Sequence, residues 1–361
     1  ERYAITVYFI AFIILLSFII TIYKPKYGLG ITLIALVLSS VNFLPHWLNW
    51  NFTGYDQKDD WSDITNLYSG LNQLEPGRIM WEPNSDLNKY GTPMVLMTIP
   101  MFTDHESIEG LYFDSSITTP FHFVTVSGVA ESPSNPVGGL SYINGDFDRG
   151  VRYMKELGVD YFISYTDSIT EKAIMSDELE NLFQSSPFTV FKIYSDKVQV
   201  VDTELVNFSQ PELFERISNS IFRQEKTDSF FNLAMKEFKL DNKKRIIEGI
   251  DAEESQIQNR LSNKKSEIKN VRITNNKITF ETEHPNELHI VKVSYFPNWK
   301  IENGSGPYRL SPSFMGVIPN SNEVSMTFEN TSLEKSLNIV SLIIFLLTVY
   351  LLVFRIKKYA K

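Results

Sequence analysis

The densest group of side chains that could do chemistry is Asp104-His105-Glu106, with Glu109 and Asp114 close behind. Carboxylates beside a histidine can exchange protons with a substrate or bind a divalent cation. His105-Glu106 also begins like the zinc-protease motif H-E-x-x-H, but Glu109 stands where the second histidine ligand would have to be. We therefore predict no metal site. The main interpretation of the group is a solvated loop, and a ligand-binding or metal-binding role is the alternative.

A second set of residues has the chemistry of a sugar-binding site. Sugars need a flat apolar face for the C–H surface of the ring and nearby acceptors for the hydroxyls. Trp81 and Tyr112 can supply faces, and Glu109 and His122 can supply acceptors. We predict that these four residues bind substrate at one edge of an α/β sheet. The alternative is that the two aromatic residues are core and that Glu109 pairs with Arg78.

Other catalytic and cofactor motifs are missing from the sequence. The chain has no Cys, which excludes disulfides, thiolate metal sites and cysteine nucleophiles. It contains no phosphate-binding G-x-x-x-x-G-K-[ST] motif, no G-x-G-x-x-G motif opening a helix and no G-x-S-x-G nucleophile elbow. We therefore predict no cofactor.

Three long uncharged runs point to a membrane protein. They are residues 3–23, 27–55 and 336–354, and each could cross a hydrocarbon core of about 30 Å. Lys24 and Lys26 separate the first two runs, and four basic residues between Arg355 and Lys361 follow the third. The positive-inside rule then predicts a multi-pass protein with residues 47–334 extracytoplasmic and the C-terminus cytoplasmic.

The charge distribution argues against a nucleic-acid partner. The formal net charge of the chain is −9, and the residues outside 47–334 contribute +7, so residues 47–334 carry −16. A domain this acidic repels phosphate backbones. The partners that we expect are the lipid bilayer, a lipid-linked sugar and envelope glycan.

Hydrophobic periodicity divides the chain into five segments. We predict two transmembrane helices at 1–50, an α/β domain at 51–205, a helical segment at 206–265, an antiparallel β-sandwich at 266–332 and a last transmembrane helix with a basic tail at 333–361. The predicted fold class is therefore a membrane-anchored α+β protein with three transmembrane helices, an α/β ectodomain and a small sandwich.

Particular patterns support the α/β domain and the sandwich. Residues 147–157 have a helical stripe ending at Gly158, and residues 188–201 look like a hairpin turning at Ser195-Asp196. A long loop at 128–146 is rich in Gly, Pro, Ser and Asn. Trp299 is predicted to fill the sandwich core, and a carbohydrate platform is the alternative.

Several stretches resemble prokaryotic polytopic membrane proteins of the type C glycosyltransferase kind, a family labelled as the membrane domain related to 6-pyruvoyl-tetrahydropterin synthase. The stretches are Gly77-Arg78-Ile79-Met80-Trp81-Glu82-Pro83-Asn84, Ser107-Ile108-Glu109-Gly110-Leu111-Tyr112-Phe113-Asp114, Thr119-Pro120-Phe121-His122-Phe123, Ser132-Pro133-Ser134-Asn135-Pro136, Leu157-Gly158-Val159-Asp160-Tyr161-Phe162 and Val293-Ser294-Tyr295-Phe296-Pro297-Asn298-Trp299-Lys300. The resemblance implies a transferase that uses a lipid-linked sugar, with its catalytic acid on an early external loop.

Nothing in this chain matches that catalytic loop. We therefore expect the chain to be the C-terminal part of a longer glycosyltransferase-like protein, with an external domain that assists glycan binding or assembly. The alternative is a non-enzymatic envelope protein whose ectodomain binds glycan or a partner protein. A tethered hydrolase would instead require Asp104, His105, Glu106 and Glu109 to converge in a pocket.

Overall fold

The computed structural model of the chain describes Ile22, residues 49–110 and 119–201 with gaps at 51, 59, 137 and 139, the strands 204–208 and 244–248, and residues 268–359. The chain divides into two compact units. One comprises Glu1–Asn66 and Ser85–Val95, and the other comprises Leu67–Asn84 and Leu96–Lys361.

Polar contacts between one aromatic and three charged side chains connect the described segments of the first unit. The hydroxyl of Tyr90 donates to Asp63 over 2.8 Å, and Lys89 lies 3.3 Å from Asp60. Helix α1 (Trp61–Leu71) begins in this unit, and its residues Ile64, Leu67 and Leu71 are fully buried. These positions are three and four residues apart, so they lie on one face of the helix.

A five-stranded sheet, called the α/β sheet below, lies in the second unit. Its strands are β1 (Arg78–Trp81), β2 (Glu106–Ser107), β3 (Tyr161–Ser164), β4 (Leu179–Ser185) and β5 (Phe188–Ile193), in the order β2-β1-β3-β5-β4. Strands β2, β1 and β3 run parallel, and β5 and β4 add antiparallel partners. β3 is buried along its whole length, as expected for a strand covered on both faces.

Four helices accompany this sheet: α2 (Ile99–Phe102), α3 (Thr119–Val129), α4 (Phe147–Glu156) and α5 (Asp167–Met175). The α4 helix confirms the prediction from its periodicity. The Asp146 side chain caps its start by accepting from the Arg149 amide at 3.2 Å. Gly158 has φ +68° just beyond its end, which is the left-handed conformation that glycine adopts without penalty.

Helix α3 is an element that the sequence pattern does not reveal. Phe121, Val124, Val126 and Val129 all lie in the main hydrophobic core, so the helix is apolar on several sides. A helix buried all round has no polar stripe and gives no 3.6-residue periodicity. Consequently the predicted loop at 128–146 starts slightly too early, because α3 continues to Val129.

Two further sheets form a sandwich. The four-stranded sheet contains β9 (Lys269–Ile273), β10 (Lys277–Glu281), β12 (Trp299–Ile301) and β15 (Glu323–Phe328). The six-stranded sheet contains β6 (Val198–Val200), β7 (Glu204–Phe208), β8 (Lys244–Glu248), β11 (His289–Ser294), β13 (Gly304–Leu310) and β14 (Phe314–Pro319). Met315, Val317, Ile278, Met326 and Trp299 belong to one buried cluster between them. Trp299 is 5% exposed, which confirms its predicted place in the core.

The sandwich draws on more of the chain than the sequence predicts. The predicted hairpin at 188–201 is wrong, because β5 pairs with β3 and β4 whereas β6 pairs with β11 in the other sheet. Residues 206–208 and 244–248, which fall in the predicted helical segment, are strands that pair in parallel as β7 and β8. The rest of the predicted helical segment 206–265 lies outside the described residues. Strand pairing with distant partners overrides the local pattern here.

Charged side chains connect the α/β sheet to the six-stranded sheet. One guanidinium nitrogen of Arg78 donates to the carbonyls of Leu157 and Lys292, each over 2.8 Å. Lys197, in the crossover between β5 and β6, pairs with Asp160 at 2.7 Å. The buried cluster that contains Phe162 of β3 also contains Ile290 and Leu310 of the six-stranded sheet, so one core joins the two sheets.

The predicted fold class is wrong in its membrane part. The structure is an α+β fold with three sheets, and among the described residues one helix is long and apolar enough to cross a membrane, where three were predicted. This helix, α6 (Ser332–Tyr359), contains the 19-residue candidate span Ser332–Tyr350. The runs 3–23 and 27–55 lie almost wholly outside the described residues. Length and absence of charge are necessary for a span, but they do not by themselves specify a helix.

Candidate functional site

The carboxyl ends of three parallel strands meet at one edge of the α/β sheet. Glu82 follows β1, Glu109 lies two residues after β2, and Tyr165-Thr166 follow β3. In open sheets with parallel strands, ligands bind outside the carboxyl ends of the strands. This edge is therefore where a site is expected from topology alone.

Glu82 is a fully buried carboxylate that connects the segments at this edge. One of its oxygens accepts from the backbone amides of Tyr165 and Thr166, each at 2.9 Å. The other accepts from the Thr166 hydroxyl at 2.7 Å and from the Glu131 amide at 3.3 Å. Because Thr166 caps helix α5 and Glu131 follows helix α3, this single side chain fixes the two helix ends relative to each other.

A cleft of about 570 Å³ opens beside these segments. Its lining includes Asn135 and Asn144 from the loop between α3 and α4, and Ser168 and Lys172 from α5. The amide nitrogen of Asn135 donates to the side-chain oxygen of Asn144 over 3.1 Å. Side-chain amides and a hydroxyl can donate and accept, and the lysine adds a cation. The cleft thus suits a hydroxyl-rich ligand, with or without a negative charge.

The loop that lines the cleft is anchored at its base to α3. The Ser127 hydroxyl donates to the Val124 carbonyl at 2.7 Å and accepts from the Ile143 amide at 3.0 Å. Helices α3 and α4 also approach closely where Gly128 meets Gly150. A Cβ added to Gly128 would lie only 3.0 Å from the Gly150 Cα. The base of the cleft is therefore fixed, whereas the residues at its opening are exposed.

The structure brings together two of the predicted substrate-binding residues. Nε2 of His122, in the first turn of α3, is in hydrogen-bonding contact with a carboxylate oxygen of Glu109. Their side chains are 7% and 13% exposed. The Ser107 hydroxyl donates to the Glu109 carbonyl at 2.7 Å and accepts from its amide at 3.1 Å. Within the described residues, Nδ1 of His122 has no hydrogen-bond partner.

Of the other two predicted substrate-binding residues, the structure describes Trp81 alone. Trp81 is 1% exposed, so its ring offers no accessible face. Tyr112 lies outside the described residues. The suggested pair between Arg78 and Glu109 does not form, because Arg78 lies 3.3 Å from Glu106 and Glu109 contacts His122. The binding role of these residues stays a prediction.

The Asp104-His105-Glu106 group does not converge on a common point. His105 is 3% exposed, and its ring nitrogens contact the Leu71 carbonyl at 2.9 Å and the Gly77 backbone amide at 3.1 Å. His105 therefore binds backbone groups of two other segments, whereas the Glu106 carboxylate contacts Arg78. In the part of the chain that the structure describes, no three His, Asp or Glu side chains are grouped so that they could hold a metal ion.

Sequence reasoning missed Glu82, Asn144 and Lys172. An acidic residue directly after an apolar strand, as in Met80-Trp81-Glu82, was the available indication for Glu82. Lys172 and Asn144 look like ordinary surface residues, because only the tertiary structure brings helix α5 and the loop together at the cleft.

Comparison with known proteins identifies no relative of this chain. No family model matches the chain, and neither a curated protein nor a solved structure matches it significantly.

Proposed function

We propose that the chain is a membrane-anchored accessory domain of a glycosyltransferase-like protein and that it binds a glycan in the cleft at the carboxyl edge of the α/β sheet. The observation that carries this proposal is the lining of the cleft. Hydrogen-bond donors and acceptors surround a volume of about 570 Å³, and they come from Asn135, Asn144, Ser168 and Lys172. Glu82 and Ser127 hold the segments that carry these residues. A volume of this order accommodates a small ligand.

The residues that carry the family resemblance support the same location. Two pairs of these stretches are joined. Glu82 of 77–84 accepts from the Glu131 amide, beside the stretch 132–136 that contributes Asn135 to the cleft. Glu109 of 107–114, which follows β2 at the same end of the sheet, contacts His122 of 119–123. Such grouping is what a shared site would produce, since the stretches are separated along the chain. The link to the glycosyltransferase-like family is part of the proposal.

The anchor is helix α6. Its apolar side chains are exposed in the isolated chain, with Phe345 63% and Ile344 57% accessible, as expected for residues that face lipid. The basic residues Arg355, Lys357, Lys358 and Lys361 follow the span, whereas the folded domain before it is acidic. We propose from this asymmetry that the domain is extracytoplasmic and that the C-terminus is cytoplasmic.

A glycan-binding experiment tests the function. Full-length chain in lipid nanodiscs is screened on an array of envelope oligosaccharides, and the best binder is titrated by calorimetry. We expect Asn144→Ala and Lys172→Ala each to weaken binding about tenfold, because a hydrogen bond of about 1.4 kcal/mol corresponds to that factor. Asn181→Ala, an exposed asparagine on β4, is the matched control and should bind like the wild type.

Two outcomes would contradict the proposal. One is that no oligosaccharide binds to the folded chain. The other is that a glycan binds but that Asn144→Ala and Lys172→Ala leave its affinity unchanged. In the second case the domain recognises glycan elsewhere on its surface.

The Glu109–His122 pair has its own test in the same assay. If the pair contacts the glycan, Glu109→Gln weakens binding while the thermal stability of the chain stays close to that of the wild type. Unchanged affinity together with a lower melting temperature would limit the pair to fixing the start of helix α3.

A further inference from the structure

The start of helix α6 is held firmly to the β-sandwich. Only residues 329–331 separate the end of β15 from Ser332, the first residue of the helix. Thr331 and Glu334 form a reciprocal capping box. The Glu334 amide donates to the Thr331 hydroxyl at 3.2 Å, and the Thr331 amide donates to the Glu334 carboxylate at 2.6 Å.

A second connection ties the first turn of the helix to the loop between β11 and β12. The side-chain amide of Asn298 donates to the Glu334 carboxylate over 2.8 Å. The carbonyl of Asn298 in turn accepts from the Glu329 amide at 3.0 Å, and Asn298 is 3% exposed. The helix therefore continues from the sandwich through fixed contacts on two sides rather than through a free linker.

These contacts set the depth of the loop relative to a membrane. The uncharged part of the helix begins at residue 336, so Glu334 lies about 3 Å before it along the helix axis. The headgroup layer on each side of a bilayer is roughly 5–8 Å thick. If α6 spans the membrane, Asn298 and its neighbours lie at headgroup level.

Two exposed aromatic rings lie next to this point. Phe296 is 50% exposed and Phe328 is 38% exposed, and their ring centroids are 5.8 Å apart. Phe328 also packs edge-on against the buried Trp299, at 5.5 Å between centroids. We call Phe296 and Phe328 the aromatic rim. Water contact with two adjacent phenyl rings is unfavourable, whereas the boundary between headgroups and acyl chains accepts such side chains.

We infer that the aromatic rim inserts into the outer boundary of the bilayer that α6 spans, so that the sandwich rests on the membrane. The inference depends on the anchoring role of α6 and not on the glycan site. The partner is the lipid surface itself, because the capping box and Asn298 leave the rim no more than a few residues from the first lipid-facing turn. Together, the helix and the rim give the domain two points of attachment and hence a defined tilt.

Fluorescence quenching in nanodiscs tests this, and the absence of cysteine makes single-site labelling simple. Phe296→Cys is labelled with a nitrobenzoxadiazole probe, and quenching by lipids that carry a shallow doxyl group is measured on the full chain. Met175→Cys, at an 84% exposed position on α5, is the matched control. We expect quenching at residue 296 to exceed that at residue 175 by at least about twofold.

A third labelled position distinguishes lipid contact of the aromatic rim from insertion of helix α6. Ile343→Cys reports the middle of α6 and should be quenched by lipids with a deep doxyl group. Quenching at 343 but no excess at 296 over 175 would overturn the rim contact while leaving the anchor intact. No quenching at either 343 or 296 would overturn both.

A second measurement keeps an aromatic ring at the rim. Benzoylphenylalanine at position 296 should cross-link to lipid on illumination, whereas the same residue at the exposed Tyr194 should not. Equal lipid cross-linking at both positions would also refute the inference.

Discussion

Replacement of Glu82 by Gln is the sharpest test of how the carboxyl edge is built. The substitution keeps size and shape but turns one acceptor oxygen into an N–H₂ donor. If the new NH₂ group replaces the oxygen that faces Tyr165 and Thr166, it lies 2.9 Å from two backbone N–H groups. A backbone N–H cannot act as an acceptor, so both hydrogen bonds are lost. If it replaces the other oxygen, the Thr166 hydroxyl can rotate to accept, but the Glu131 amide loses its partner.

The second orientation is less costly and sets the expected magnitude. One buried donor left unsatisfied costs about 1–3 kcal/mol, and the remaining bonds weaken because a neutral acceptor replaces a charged one. We expect the free energy of unfolding to fall by about 2–4 kcal/mol. For a domain of this size that corresponds to a decrease in melting temperature of about 6–12 °C.

The assay is thermal unfolding of the full-length chain in nanodiscs, followed by tryptophan fluorescence. Hydrogen exchange of the peptides that contain Glu131 and Tyr165-Thr166 provides a local measurement, since these amides donate to Glu82. Glu131→Gln is the matched control, because the Glu131 side chain is exposed and the same substitution there should change stability by less than about 0.5 kcal/mol.

Glu82 does not stabilise the carboxyl edge if Glu82→Gln melts at the same temperature as Glu131→Gln and the two peptides keep their protection from exchange. That result would mean that hydrogen bonds to water replace the four hydrogen bonds of Glu82 without loss of stability. Glu82 would then not hold the segments beside the cleft in place.

Three further predictions concern the sandwich and its junction. Trp299→Ala should lower the free energy of unfolding by about 3–5 kcal/mol, and a melting temperature equal to that of the wild type would mean that the ring is not core. Burial lowers the pKa of His289 from 6.5 to about 4. The unfolded chain then binds the extra proton first, so stability should fall as pH drops from about 6.5 to 4, and His289→Gln should lose part of this dependence. Burial also lowers the pKa of Lys197 from 10.5 to about 8. Between these values the unfolded state holds more protons, so the stability of the wild type relative to Lys197→Met should rise with pH, and a flat difference would refute the shift.

The local sequence pattern was sufficient to predict an element whose first and last residues are marked by the sequence itself. Helix α4 has a one-sided apolar stripe, an Asp cap and a terminal Gly158, so sequence alone placed it almost to the residue. Strands β10 and β15 likewise have a local pattern, since buried residues alternate with more exposed ones along each strand. Trp299 was placed in the core because a small sandwich needs a large apolar residue there.

Long-range pairing decided the elements that the sequence mispredicted. The segment 188–201 has two apolar runs around a turn, yet β5 and β6 join different sheets because their partners, β3 and β11, come from distant parts of the chain. Helix α3 was invisible because neighbours cover it on several sides and leave no polar face. The uncharged runs likewise met the length criterion for three membrane spans, whereas the described residues contain one candidate helix.

The candidate site divides in the same way. Sequence chemistry selected Glu109 and His122 as acceptors for a sugar, and the structure brings the two side chains into contact with each other, whereas their binding role stays a prediction. It also selected Trp81, whose ring is buried and therefore offers a ligand no accessible face. Glu82 and the cleft residues Asn144 and Lys172 have no distinctive spacing. Their role depends on the parallel strands ending at one edge, and only the tertiary structure decides which segments meet there.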